Sequence, residues 1–281
     1  MKQLSYFRPR SLAEAWRLKE EHGDARFIAG GTDLQIRNWK REQNPVPLIS
    51  LRGIEGLADI DVGETTTRVG ALAPVGDVAE HAALAERYPA LVRAAGRLGS
   101  AQIRNVATVG GNLCRAAPCA DLAPPLLVYE ARVRIESAAG AREVAMDDFM
   151  TAPGETCMAP GELATAVLLP RPSARAVATF LKKGRVSMDL SLASVAALLE
   201  MDGDVCRRAR FAAGSVAPTP VRLRTVEALL GGATVTPALI DEAGRAAAVD
   251  VTPITDVRTT AAYRLRIVAV FVRRAIQELM G

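Results

Sequence analysis

"ATVGGNLCRAAPCADLAPPLL", residues 107–127, is the most informative stretch of the chain. A tight glycine pair, Gly110 and Gly111, follows a short apolar alternation. Asn112, Cys114, Cys119 and Asp121 come next, and an apolar run closes the segment. Adjacent glycines let backbone N–H groups turn inward and approach an anion closely. A second loop of the same kind, "AGGTDL" at 29–34, also follows an apolar strand. Thr32, Thr108 and Asn112 add side-chain donors. Two such loops suit the two phosphates of a dinucleotide. They suit equally a pair of tight turns in which only glycine fits. Neither is G-x-G-x-x-G or G-x-x-x-x-G-K-[ST], so a Rossmann or P-loop assignment is not supported. Asp121 either accepts hydrogen bonds from ribityl or ribose hydroxyls or caps the helix that "LAPPLLVYEA" begins, with its early prolines.

Around this segment the bulk composition narrows the classes. The chain has 281 residues with 49% hydrophobic and 23% charged, which suits one large or two ordinary domains. The formal net charge of +4 comes from scattered residues and aromatics are 4%, so the basic, aromatic-studded face of a nucleic-acid binder is not visible. "MKQLSYFRPRSLAEAW" lacks the apolar centre of a signal peptide. No apolar run approaches the ~18 residues of a membrane span. Four cysteines in a chain of this length do not make a secreted disulfide framework. A cytoplasmic protein without a membrane span is the expectation.

Outward from the glycine loops the elements read in order. In "SLAEAWRLKEEHG", Ser11 and Glu14 have capping-box spacing. Leu12, Ala15, Trp16 and Leu18 form an apolar face, and Gly23 stops the helix. "ARFIAGG" is a strand entering the first loop, a further helix follows, and "PLISLRGI" is another strand. Residues 66–100 read as a strand and two short helices divided near Tyr88-Pro89. "RVRIES" and "ELATAVLLP" alternate as strands. "LLPRPSAR" breaks the pattern, and the main boundary is placed there, near residue 172. Beyond it "VATFLKKGR", "LSLASVAALLEM" and "RRARFAAGSV" read as a three-stranded antiparallel set, with "DGD" at 202–204 as a turn. Three helices follow; in the last, Leu265, Val268, Val272, Ile276 and Leu279 repeat at helical spacing. The second half is an α+β layer.

"AGGTDL", "QIRNVATVGGNLCRAAPCADLAPPLL", "RVSMDLSLASVA", "GSVAPTPVR" and "TPITDVRTTAAYR" occur in this order over nearly the whole chain. Together they resemble the FAD-binding medium subunit of molybdenum hydroxylases, the family of xanthine and carbon monoxide dehydrogenases. The resemblance implies an α+β protein. Residues 1–172 would be an FAD-binding domain of the vanillyl-alcohol oxidase type, with α/β subdomains at about 1–55 and 56–172. Residues 173–281 would be the family's C-terminal domain, a three-stranded antiparallel sheet with helices. It implies FAD pyrophosphate loops at Ala29, Gly30, Gly31, Thr32 and Asp33, and at Thr108, Val109, Gly110, Gly111 and Asn112. Asp121 matches the acidic FAD ligand, Lys182 (with Lys183 beside it) a lysine near the flavin, and Leu163 an apolar flavin contact.

The resemblance also implies a working context. Substrate is oxidised on a large molybdopterin-binding subunit, electrons cross two [2Fe–2S] clusters on a small subunit, and FAD on this chain passes them to an external acceptor such as NAD. A dimer of heterotrimers is expected. No catalytic side chains are assigned to this chain, and no metal site. Cys114 and Cys119 lack C-x-x-C spacing and the cluster-bearing insertion of hydroxybenzoyl-CoA reductases, so they read as small packing residues. His22 and His81 read as solvent-exposed. The rival class is a self-contained flavin oxidase with its own substrate pocket; a C-terminal part of about 110 residues is small for that.

Overall fold

Ser11 starts the first helix as its spacing predicts. In the computed structural model, which describes residues 5–34 and 46–281, Ser11 Oγ accepts from the Glu14 N–H at 3.2 Å. Glu14 Oε2 accepts from the Arg10 N–H at 2.8 Å, one residue further back than a capping box reaches. Helix α1 (Leu12–Glu21) lies between strands β1 (Tyr6–Phe7) and β2 (Arg26–Ile28); β3 (Leu48–Ser50) follows. The three strands form a parallel sheet in the order β1-β3-β2. Parallel neighbours need crossovers, and α1 supplies one while burying Ala15 and Leu18 against Ile49, Leu51 and Leu57. The further helix expected before β3 lies outside the described residues.

A five-stranded antiparallel sheet comes next, in the order β4-β5-β10-β6-β7. Its first hairpin is β4 (Ile60–Val62) and β5 (Thr66–Gly70). Where two helices were expected there are three: α2 (Val75–Glu80), α3 (Ala82–Arg87) and α4 (Pro89–Gly96). The extra break is made by His81, whose Nδ1 accepts from the Leu84 N–H at 3.3 Å and so starts α3. His81 is therefore half-buried and structural. So is His22, which stacks on Phe7 with ring centroids 4.5 Å apart. Neither is the freely solvated histidine that the sequence suggests. Helices α5 (Ala101–Arg104), α6 (Val109–Cys114) and α7 (Ala123–Val128) lead into β6 (Arg132–Ser137) and β7 (Gly140–Ala145). The turn α8 (Met146–Phe149) and the hairpin β8 (Met150–Ala152) and β9 (Glu155–Thr156) precede β10 (Leu163–Pro170).

The C-terminal sheet carries β11 (Ala176–Lys183), β12 (Ala193–Asp202) and β13 (Val205–Gly214) in antiparallel order, with Gly203 at φ +58° in the predicted turn. It has four strands, not the three expected. β14 (Val221–Arg222) pairs its two residues with Ala213 and Ala212. Two residues carry no period-two signal, so the sequence hides them. β12 is buried on both faces. Val195, Ala197 and Leu199 pack with Val268, Val272 and Ile276, while Ala196 and Leu198 join the core containing Leu126 and Leu127 of α7. That two-sided burial explains why "ASVAALL" reads as a continuous apolar run. Helices α9 (Arg224–Leu230), α10 (Pro237–Ala246) and α11 (Ala261–Met280) cover the outer face. No helix among the described residues is long and apolar enough to cross a membrane.

Candidate functional site

The first glycine loop leaves β2 with Gly31 at φ +76°, in the left-handed region that glycine adopts without strain. Among the described residues, no hydrogen bond engages the N–H groups of Gly30, Gly31 or Thr32. Gly30 is pinned from behind. A Cβ there would lie 2.2 Å from the Val106 carbonyl oxygen and 3.0 Å from Ala107 Cα. The first loop therefore rests directly on the backbone entering the second. Asp33, a residue of this loop, is tied across the junction: its Oδ2 lies 2.8 Å from Arg115 Nε. Ala29 sits at the edge of the small core that also contains Leu163, which is 7% exposed and stands behind the loop.

The second loop is built differently. Thr108 caps α6, its Oγ1 accepting from the Gly111 N–H at 3.1 Å. Val109 donates to Ala73 O at 3.1 Å, Gly110 to Ala71 O at 2.7 Å and Asn112 to Thr108 O at 3.0 Å. All four N–H groups of residues 109–112 thus have protein acceptors. Gly110 is glycine because a Cβ would meet Ala71 Cβ at 2.7 Å and Ala71 O at 2.8 Å, not because its φ is positive. The expectation that both glycine pairs turn their donors inward fits the first loop. The second supplies a wall without side chains and the Asn112 amide, whose Oδ1 is buried without a partner. The pair reads alike in sequence because a close approach to protein backbone and one to an anion both require glycine.

Asp121 and Lys182, far apart in sequence, meet. Asp121 Oδ2 accepts from Lys182 Nζ at 2.6 Å, and the two side chains are 6% and 4% exposed. Lys182 Nζ also donates to Arg97 O at 3.1 Å. Lys183 faces solvent, so the inward lysine is Lys182. Burial lifts the Asp121 carboxyl to about 6, against the pull of the Lys182 charge. Asp121 does not cap α7, whose N-cap position is Leu122 with no side-chain bond. Its Oδ1 is buried and unpartnered.

Cys114 packs against the main core, and burial pushes its thiol up to about 12. Cys119 is also held protonated, first by burial and then by Asp121, although its thiol is hydrogen-bonded to Arg258. No motif marks Arg264 as a site residue, yet it is buried. Its side chain is 2% exposed, and Nη1 donates to Leu192 O at 2.6 Å and to Ser215 O at 2.9 Å. Nη2 donates to Asp256 Oδ1 at 3.0 Å. Burial opposes ionisation of Asp256, yet Arg258 and Arg264 hold its carboxyl well below the usual range. Ser215 N–H in turn donates to Pro118 O at 2.7 Å, so the two C-terminal motifs brace the 116–121 connection. The signal was present: Arg264 falls on the same face of α11 as Ile267, Val268, Phe271 and Val272.

Open donors at Gly30–Thr32 match a diphosphate, and buried acceptors on Asp121 and Asn112 match hydroxyl or amide donors. The residues present therefore fit a flavin dinucleotide. Comparison with known proteins agrees. Residues 2–172 match the family model described as the FAD binding domain in molybdopterin dehydrogenase, and residues 178–279 match the CO dehydrogenase flavoprotein C-terminal domain. Fold and site together define an FAD-binding oxidoreductase subunit. The xanthine dehydrogenase FAD-binding subunit of Escherichia coli O157:H7 is 30% identical over 280 residues, covering 99% of this chain and 96% of that protein. The carbon monoxide dehydrogenase medium chain of Afipia carboxidovorans is 30% identical over 276 residues, covering 98% and 96%. The solved structure of reconstituted CO dehydrogenase from Oligotropha carboxidovorans superposes with a TM-score of 0.94 at 29% identity, covering 99% of this chain and 98% of that one. The chain belongs to the family of FAD-binding medium subunits of xanthine dehydrogenase- and carbon monoxide dehydrogenase-type enzymes.

Proposed function

We propose that this chain is the FAD-carrying electron-transfer subunit of a cytoplasmic molybdenum hydroxylase. It takes electrons from [2Fe–2S] clusters on a small partner subunit and delivers them to an external acceptor such as NAD. A large molybdopterin-binding subunit oxidises the organic substrate, and the assembly is a dimer of heterotrimers. The first 172 residues form a two-subdomain FAD domain of the vanillyl-alcohol oxidase type, and residues 173–281 cover the flavin and face the partners.

The observation that carries this reading is the unengaged N–H series at Gly30–Thr32, wedged against Val106. Gly30, Gly31 and Thr32 hold the diphosphate end through backbone donors, with Ala29 and Asp33 flanking them in the same loop. Thr108 through Asn112 form the opposing wall; Val109 and Gly110 anchor it to Ala73 and Ala71, Gly111 leaves room for the Thr108 cap hydroxyl, which a Cβ would meet at 2.8 Å, and Asn112 reaches the cofactor. Asp121 accepts from a cofactor hydroxyl, and Leu163 supports the first loop from its core. When bound, FAD supplies a redox centre that exchanges electrons singly or in pairs. The residues named here bind and orient it.

Co-expression with the neighbouring large and small subunits tests the proposal. Substrate-dependent dye reduction is expected from the complex and from none of its parts. Turnover of the organic substrate by this chain alone would overturn it in favour of a self-contained oxidase.

A further inference from the structure

Asp121 and Lys182 join the two halves of the chain, one from the connection before α7 and the other from β11. A buried ion pair is weak evidence for stability, because desolvation of both charges offsets their attraction. This pair is also lopsided. Lys182 has two acceptors, Asp121 Oδ2 and Arg97 O, and its side chain is 4% exposed. Asp121 has one oxygen engaged and the other, Oδ1, buried without a partner. Buried polar atoms are rarely left so, and such an atom points to a role. Among the described residues, the other titratable group facing Asp121 is the Cys119 thiol, with Arg258 bonded to that thiol; neither replaces Lys182 as counter-charge.

We infer that Lys182 is a positioning residue that acts on the cofactor through Asp121, holding that carboxylate ionised with Oδ1 free to accept a hydroxyl of bound FAD. The inference rests on the reading that FAD occupies this site. A hydroxyl donating to Oδ1 favours the charged carboxylate, so FAD binding and Asp121 ionisation reinforce each other. Burial and Lys182 pull the Asp121 carboxyl in opposite directions and leave it at about 6. FAD affinity is therefore constant above that value and falls below it, approaching about tenfold per pH unit. Without Lys182, burial acts unopposed and the midpoint moves upward.

The test is titration of the full chain with FAD, followed by quenching of flavin fluorescence, from about pH 5 to about pH 9, a window in which few carboxylates ordinarily titrate. Wild type should weaken only at the acid end. Lys182→Met should lose affinity near neutrality and recover it at the alkaline end. Asp121→Asn should show no pH dependence, and adding Lys182→Met to it should weaken FAD no further. If Lys182→Met does not fold, Asp121→Asn against the doubly neutral variant decides the matter: the two must bind FAD equally, and a further loss in the double variant overturns the inference. A flat wild-type profile, or Lys182→Met weakening FAD equally at every pH or further weakening Asp121→Asn, would overturn the inference. A wild-type chain that binds no FAD at any pH would refute the FAD reading itself.

Discussion

Replacing Gly30 by alanine asks whether the two glycine loops must touch. The added Cβ would lie 2.2 Å from Val106 O and 3.0 Å from Ala107 Cα. Carbon at van der Waals contact needs roughly 3.5 Å, so the loops must separate by about 1 Å. Both obstructing atoms are backbone, so no side chain can swing aside. Overpacking of this kind costs about 1–3 kcal/mol in stability. The displaced loop also moves the N–H groups of Gly30, Gly31 and Thr32, which no hydrogen bond engages among the described residues. Loss of one hydrogen bond to a charged group costs about 1.5–3 kcal/mol, or roughly 10- to 100-fold in Kd. FAD affinity is read by flavin fluorescence quenching, with circular dichroism and a thermal melt to confirm folding. Gly23→Ala is the control, since a Cβ there has nothing within 4 Å. A folded Gly30→Ala chain that binds FAD within about twofold of wild type would refute the reasoning, because the worked loss exceeds one unit of RT ln 10.

Three other outcomes follow from the same contacts. Gly110→Val places a Cβ 2.7 Å from Ala71 Cβ, so it should destabilise the fold by about 3 kcal/mol in urea titration; an unchanged midpoint would contradict the packing role. Arg264→Met strands the carbonyls of Leu192 and Ser215 and leaves the Asp256 carboxylate to Arg258 alone, and should cost about 3–5 kcal/mol by the same assay, a loss under about 1 kcal/mol contradicting it. Alkylation mapped by peptide mass at about pH 8 should leave Cys114 and Cys206 unmodified in the folded chain, because burial raises both thiols above their ordinary range. Rapid labelling of Cys114 without unfolding would show that burial does not protect it.

Much of this molecule was legible in the sequence. The capped first helix, the strands at "RVRIES" and "ELATAVLLP", the 202–204 turn and the long final helix all appear where periodicity places them. What escaped is physical in origin. β14 is two residues long, below any repeat. His81 divides two helices through a ring nitrogen, a capping role outside the usual Ser, Thr, Asp and Asn. The glycine pairs look alike, yet Gly110 answers to Ala71 while Gly31 answers to its own φ. The Asp121–Lys182 contact spans 61 positions, and no local pattern announces it. Arg264 is a charge on an apolar helical face, and its partners Leu192 and Ser215 come from distant segments that no local pattern connects to it.

The central claim is that this chain holds one FAD without a covalent bond, between the two glycine loops and Asp121. Acid precipitation of the purified, FAD-reconstituted chain measures it most directly. The account predicts a colourless pellet and a yellow supernatant containing FAD equimolar with protein. Chromophore retained on the pellet, FMN in the supernatant, or a folded chain that takes up no flavin would contradict it.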